Sequence, residues 1–209
     1  MTVASGAAFW DERFAGDAFA YGLAPNAFLA SQAPSLRPGM RALVPGDGEG
    51  RNGVWLAEQG LQVDTLDLSG EGVAKAGKLA ATRGVVVNAM QADALALDWP
   101  AARYDLIAVI YLHLVAPDRR KLHALALRAL TPGGRIVLEA FRPEQVQRQQ
   151  AGARGGPRDV ALLYAVADVL SDFEGAEIIA CGEADLDLSE GVLHHGPSAV
   201  TRAVVRKRN

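Results

Sequence analysis

Apolar runs bounded by turn residues alternate along this chain with segments of helical period, and no other feature limits the fold as much. The alternation calls for βα units around a mainly parallel sheet, an α/β class. Strands are expected at residues 41–45, 62–67, 85–90, 104–110 and 135–141, several nearly continuous in apolar residues, as strands covered on both faces should be. A helix over 50–59 ends at Gly60, which can take a left-handed cap. Over 117–129, Leu122, Leu125, Ala126 and Ala129 recur at i, i+3, i+4 and i+7, so one stripe can face the sheet. A later helix starts at Asp159 as N-cap and ends near Phe173. Two tail segments, 176–184 and 199–206, break the rhythm and read as an antiparallel pair joined through Gly191, Gly196 and Pro197. Residues 145–157, rich in Gln, Gly and Arg, read as a surface loop.

With 209 residues, half of them hydrophobic, the chain suits one domain over 1–209, an N-terminal segment over 1–35 preceding a core over 36–209. Lys and Arg number 21 against 24 Asp and Glu; the net charge of −3 gives no footprint for nucleic acid or an anionic membrane and favours a small-molecule partner. The single cysteine, Cys181, excludes an intrachain disulfide, no ligand spacing suggests a metal, and a reducing cytoplasm fits. The start has no basic and apolar export signal. The most apolar run, 106–117, falls short of the roughly 20 residues that span a bilayer.

The loop after the first strand, Gly46-Asp47-Gly48-Glu49-Gly50-Arg51-Asn52, opens a helix, and its missing side chains let a ligand approach backbone N–H groups. Asp67, at the end of the second strand, lies 67 − 46 = 21 residues beyond Gly46, where an acid can accept both ribose hydroxyl protons. Together they describe a nucleoside pocket. Gly48-Glu49-Gly50-Arg51-Asn52-Gly53 also satisfies the dinucleotide pattern G-x-G-x-x-G. Asp47 and Glu49 would repel a pyrophosphate and attract a sulfonium and an ammonium, which favours a cationic ligand; Arg51 offsets part of that charge.

The segment from Gly46 to Ala57 resembles the G-x-G-x-G-R-N-x-x-x-L-A form of tellurite-resistance-type class I S-adenosylmethionine-dependent methyltransferases. Leu130-Thr131-Pro132-Gly133-Gly134 is similar to their L-x-P-G-G turn, and Glu190-Gly191-Val192-Leu193-His194-His195-Gly196 to their E-G-x-x-H-x-G segment. The similarity covers about residues 9 to 207. It implies a Rossmann-like, doubly wound, mainly parallel seven-stranded sheet with a C-terminal antiparallel pair, and S-adenosylmethionine as cofactor. It assigns Gly46, Asp47, Gly48 and Asn52 to the cofactor floor, and Asp67 with Leu68 to ribose and adenine. Asp93 with Ala92 and Ala94 goes to the adenine amino edge, and Ile110 with Tyr111 to the wall beside the methionine part. One departure stands out: the acid common two residues before the first glycine is Val44 here, followed by Pro45, which has no N–H. Asp47 or Glu49 is the available substitute.

Phe9, Trp10, Phe14, Phe19, Tyr21 and Phe28 crowd the N-terminus, as a helix packing aromatic rings on a core would. Trp10 to Phe14 and Tyr21 to Asn26 also resemble the lid of thiopurine-, thiol- and halide-type methyltransferases, which places Tyr21 against the cofactor and Trp10 at the substrate pocket. Asp93 has a plainer reading as the cap of a loop. Of the histidines, His123 reads as structural. His113, after the fourth strand, is a candidate to orient an acceptor or take its proton. His194 and His195 point oppositely in extended chain, so one reaches the pocket and the other does not; His195 is the second candidate base. The reading is direct in-line transfer to a small-molecule acceptor. A nicotinamide-dependent oxidoreductase and a non-catalytic cofactor-binding protein are the alternatives.

Overall fold

The computed structural model describes residues 6–208. After helices α1 (Ala7–Phe14) and α2 (Ala27–Ala30), strand β1 (Arg41–Pro45) leads through the glycine loop into α3 (Arg51–Glu58). Then follow β2 (Gln62–Asp67), α4 (Gly70–Arg83), β3 (Asn88–Gln91), β4 (Tyr104–Ile110), α5 (Ala116–Ala129), β5 (Leu130–Phe141), α6 (Gln145–Gln150), α7 (Val166–Asp172), β6 (Glu177–Glu190) and β7 (His194–Arg206). The seven strands lie in the order β3-β2-β1-β4-β5-β7-β6. The first five are parallel, and β7 runs antiparallel between β5 and β6.

Alternation along the central strands builds a core on each face. From β4, Ile107 and Val109 join Leu43, Leu138, Leu122 of α5 and Phe173, while Leu106, Ala108 and Ile110 join Val44, Leu29 and Leu56 of α3. Strand β1 pairs in parallel with both β2 and β4, so the order of strands turns back at that point, where open α/β sheets bind ligands beyond the C-terminal ends of the strands. Among the described residues no helix is long and apolar enough to cross a membrane.

Several boundaries differ from the sequence reading. Strand β3 begins at Asn88 rather than 85, because the Val85 N–H bonds the Ala80 carbonyl and closes α4, a helix the sequence reading passed over. The stretch read as a loop over 145–157 begins with α6. The helix expected over 159–173 is a 3₁₀ turn, Val160–Leu162, capped by Asp159 on the Ala161 N–H, followed separately by α7. Between them Tyr164 donates its N–H to the carbonyl of Phe141, the last residue of β5, instead of to a helix. Strand β5 starts five residues early at Leu130, and β6 and β7 run far past the expected pair, to Glu190 and from His194.

Candidate active site

The glycine loop takes a path only glycine follows readily: Gly46, Gly48 and Gly50 have φ of 69°, 58° and 90°. Its surface is closely covered. A Cβ on Gly46 would stand 3.0 Å from Leu112 Cδ1, and one on Gly48 3.0 Å from the Phe14 ring. Asp67 closes β2 beside this loop, its Oδ2 accepting the Gly48 N–H at 2.8 Å and its Oδ1 the Ser69 N–H at 2.9 Å. Burial raises its carboxyl above the usual range despite those bonds.

The two loop carboxylates have other partners. Asp47 is buried and accepts the Gly53 N–H in the first turn of α3, at 3.1 and 3.3 Å; burial pushes its carboxyl up to about 8. Glu49 accepts the Ala20 N–H and pairs with Lys75, both at 2.8 Å. The acidic face inferred from sequence is therefore directed into the scaffold. Arg51 and Asn52, which close the glycine motif, bind the N-terminal segment and the tail. The Arg51 guanidinium donates to the carbonyls of Tyr21 and Ala24 and, at 2.9 Å, to Glu190 Oε2, while Asn52 Oδ1 accepts the Asn26 N–H at 2.9 Å. The tail turn meets the same segment so closely that a Cβ on Gly191 would come within 2.5 Å of Gly22 N.

Rings line the far wall. Tyr111, in the left-handed region at φ 53°, stacks on Phe141 at 4.7 Å and donates its hydroxyl to Glu139 Oε1 at 2.6 Å. The buried Glu139 carboxylate also accepts from Asn26 Nδ2 at 2.6 Å and from Arg202. His194 lies 4.5 Å from the Tyr21 ring, 4.6 Å from Tyr111 and 5.2 Å from Phe141, with Nδ1 3.2 Å from Glu190 Oε2. Burial lowers the His194 imidazole, outweighing Glu190. Burial pulls Glu190 the opposite way, but His194 and Arg51 hold its carboxyl below the ordinary range. His195 is exposed on the other side of β7.

His113 has both ring nitrogens engaged. Its Nδ1 is 2.7 Å from Leu162 O, and Nε2 accepts the Phe141 N–H at 3.3 Å, so one neutral tautomer satisfies both. Burial depresses it to about 4. Asp93 is exposed and caps a turn through the Leu95 N–H; the Ala92 N–H bonds Asp67 O, and Ala94 O accepts from Trp99. Leu68 is half-buried and its carbonyl accepts from Gln91, whereas Ile110 is buried in the core on the α3 side. Trp10 stacks on Phe14 at 5.7 Å, with the Arg13 guanidinium 5.2 Å over its ring and 2.9 Å from the Tyr21 hydroxyl. No group of three or more His, Cys, Asp or Glu residues that could hold a metal occurs among the described residues.

Residues 42–134 match the model of a methyltransferase domain. The whole chain superposes on TehB from Haemophilus influenzae with a TM-score of 0.71 at 14% identity, covering 97% of this chain and 67% of that one. The chain has a class I S-adenosylmethionine-dependent methyltransferase fold. The N-methyltransferase NodS from Bradyrhizobium japonicum WM9, in complex with S-adenosyl-L-homocysteine, superposes with a TM-score of 0.71 at 16% identity over 97% of this chain and 98% of that one. In sequence, a demethylmenaquinone methyltransferase from Thermus thermophilus is 32% identical over 105 residues, 49% of this chain. The chain spans about half the length of that curated relative, 48%. Within this methyltransferase fold the sequence reading overlooked Glu139 and Asn26 as partners, quoted Glu190 only as a motif letter and weighed Arg51 only as an offset to the charge of the loop. Glu139 had one signal, a lone acid in an apolar strand, where an unpaired charge would be costly.

Proposed function

We propose that this chain transfers a methyl group from S-adenosylmethionine to a small-molecule acceptor. The observation that carries this reading is the Asp67 carboxylate, fixed by the Gly48 and Ser69 N–H groups beside the glycine loop at the strand crossover. Each oxygen keeps a lone pair for a ribose hydroxyl, so the donor set fits a nucleoside. Asp67 and Leu68 bind ribose and adenine, Asp93 with Ala92 and Ala94 frames the adenine edge, and Gly46, Gly48, Tyr111 and Tyr21 border the methionine part. Asp47 and Asn52 support the floor from behind, through Gly53 and Asn26. The described part of the N-terminal segment, residues 6–35, acts as a lid on the core over 36–208.

The cofactor supplies a methyl group on a sulfonium, an electrophile that needs no covalent enzyme intermediate, so positioning is the main requirement on the protein. Tyr21, Tyr111 and Trp10 exclude water, with Phe141 backing Tyr111, and a ring beside the sulfonium would attract it by cation–π interaction. For an acceptor bearing a proton, His194 is the better base: Glu190 holds Nδ1, burial keeps the ring neutral near pH 7, and Nε2 is left to receive the proton. The backbone bonds of His113 reserve it for positioning. The small net charge of −3 supports a small molecule over nucleic acid.

Titration calorimetry with S-adenosylhomocysteine and NADH tests the cofactor. The first is expected to bind and the second not; tight NADH binding with no response to S-adenosylhomocysteine overturns the assignment. Asp67→Ala should cost roughly 1.5 to 3 kcal/mol of cofactor binding. An acceptor screen monitored by S-adenosylhomocysteine release, run with His194→Ala, tests the acceptor class; turnover confined to RNA or protein refutes the small-molecule reading.

A further inference from the structure

Tyr164 lies in none of the motifs discussed above, yet its side chain is fully buried and its hydroxyl reaches the loop behind the candidate site. That hydroxyl donates to Leu112 O at 2.8 Å and accepts the Leu114 N–H at 2.9 Å, bracketing His113 between β4 and α5. Both backbone groups belong to a stretch outside strand ladders and helices, and the Tyr164 hydroxyl is the partner that meets them. Tyr164 is itself firmly held. Its N–H bonds Phe141 O at 2.9 Å, its carbonyl accepts from Thr201 Oγ1 at 2.7 Å, and the Arg119 guanidinium covers its ring at 5.2 Å. On the site side, Leu112 presses on Gly46, and Tyr111 directly before it is in the left-handed region.

We infer that Tyr164 is a positioning residue, whose hydroxyl fixes the 111–114 loop and thereby the Leu112 and Tyr111 surface against which the cofactor's methionine part lies. The strain of a left-handed tyrosine persists only where its surroundings over-determine it, and the phenol supplies two of those constraints. The inference rests on the methyltransferase reading above. Its distinguishing feature is that Tyr164 touches no ligand itself.

Tyr164→Phe keeps the ring and removes the two loop bonds, whereas Thr201→Val disturbs the same residue from its backbone side and leaves the loop bonds intact. Both variants should melt at lower temperature than wild type. By calorimetry, Tyr164→Phe should bind S-adenosylhomocysteine about tenfold more weakly and Thr201→Val within about twofold of wild type. Equal affinity of Tyr164→Phe and wild type, or equal weakening in both variants, overturns the inference. Should wild type ignore S-adenosylhomocysteine, the cofactor reading fails first, and hydrogen exchange at Leu114 then decides the clamp. Loss of protection at that amide in Tyr164→Phe but not in Thr201→Val supports it, and unchanged protection refutes it.

Discussion

At the scale of single residues, burial drives His113 and Asp47 toward the neutral form, with opposite consequences for stability. His113 is depressed to about 4 from an ordinary 6.5, so between those values the unfolded chain holds a proton the folded one lacks. Its contribution is complete above pH 6.5 and is lost as pH falls toward 4, up to about 3 kcal/mol from the shift. His113→Leu should be less stable than wild type at pH 7, having lost its bonds to Leu162 and Phe141, and should lose less on acidification. Denaturant titrations at pH 7, 5.5 and 4.5 measure both; parallel pH dependence in the two proteins would contradict the burial argument. Asp47 is raised to about 8 from an ordinary 3.8, so between those values the folded chain holds the extra proton, and stability declines as pH rises across that window. Asp47→Asn retains an oxygen for the Gly53 N–H and cannot ionise. It should match wild type only near pH 4, already exceed it at pH 6 and exceed it further at pH 9, and a lower melting temperature than wild type at pH 9 is the result that counts against it.

At the scale of elements, legibility follows from where each segment's hydrogen bonds go. Strands β1, β2 and β4 match the sequence reading residue for residue, because both faces of each are covered and the apolar runs end where the ladder ends. Strand β3 sits at the sheet edge, and the valines expected to open it precede it: Val85 closes α4 and Val86 is 87% exposed. The 159–173 segment carries a helical period, yet the Tyr164 N–H bonds the Phe141 carbonyl at the end of β5 and Asp168 accepts the Ala165 N–H, which starts α7 afresh. Local pattern cannot anticipate a backbone bond to a strand more than twenty residues away. The candidate site divides the same way. The meeting of Asp67 with the glycine loop was legible because one βα unit sets their spacing, and the opposed faces of His194 and His195 because strand period alone decides them. The partners of Arg51 and Glu190 were not, since they lie 139 positions apart.

At the scale of the molecule, the N-terminal segment is fastened to the core at two unequal places. Residues 20–26 are bound through Glu49, Arg51, Asn52 and Glu139, all buried. Helix α1 has far less. It buries one side chain, Phe14, and is held to α4 by Asp11, whose Oδ1 accepts from Ser69 Oγ at 2.6 Å and from the Glu71 N–H at 3.3 Å. Eight residues are too few for a helix to stand alone, so opening of α1 should cost much less than global unfolding. Phe14 lies on Gly48, directly over the proposed cofactor floor, and a ligand seated there would gain or lose its contact as α1 closes or opens. Amides of α1 should therefore exchange much faster than those of β4 in the free protein, and S-adenosylhomocysteine should slow them. In Asp11→Ala the ligand should still bind through Asp67, while α1 exchange stays fast with or without it. Protection of α1 equal to that of β4 in the free protein would mean that this helix is part of the global folding unit and does not gate the site.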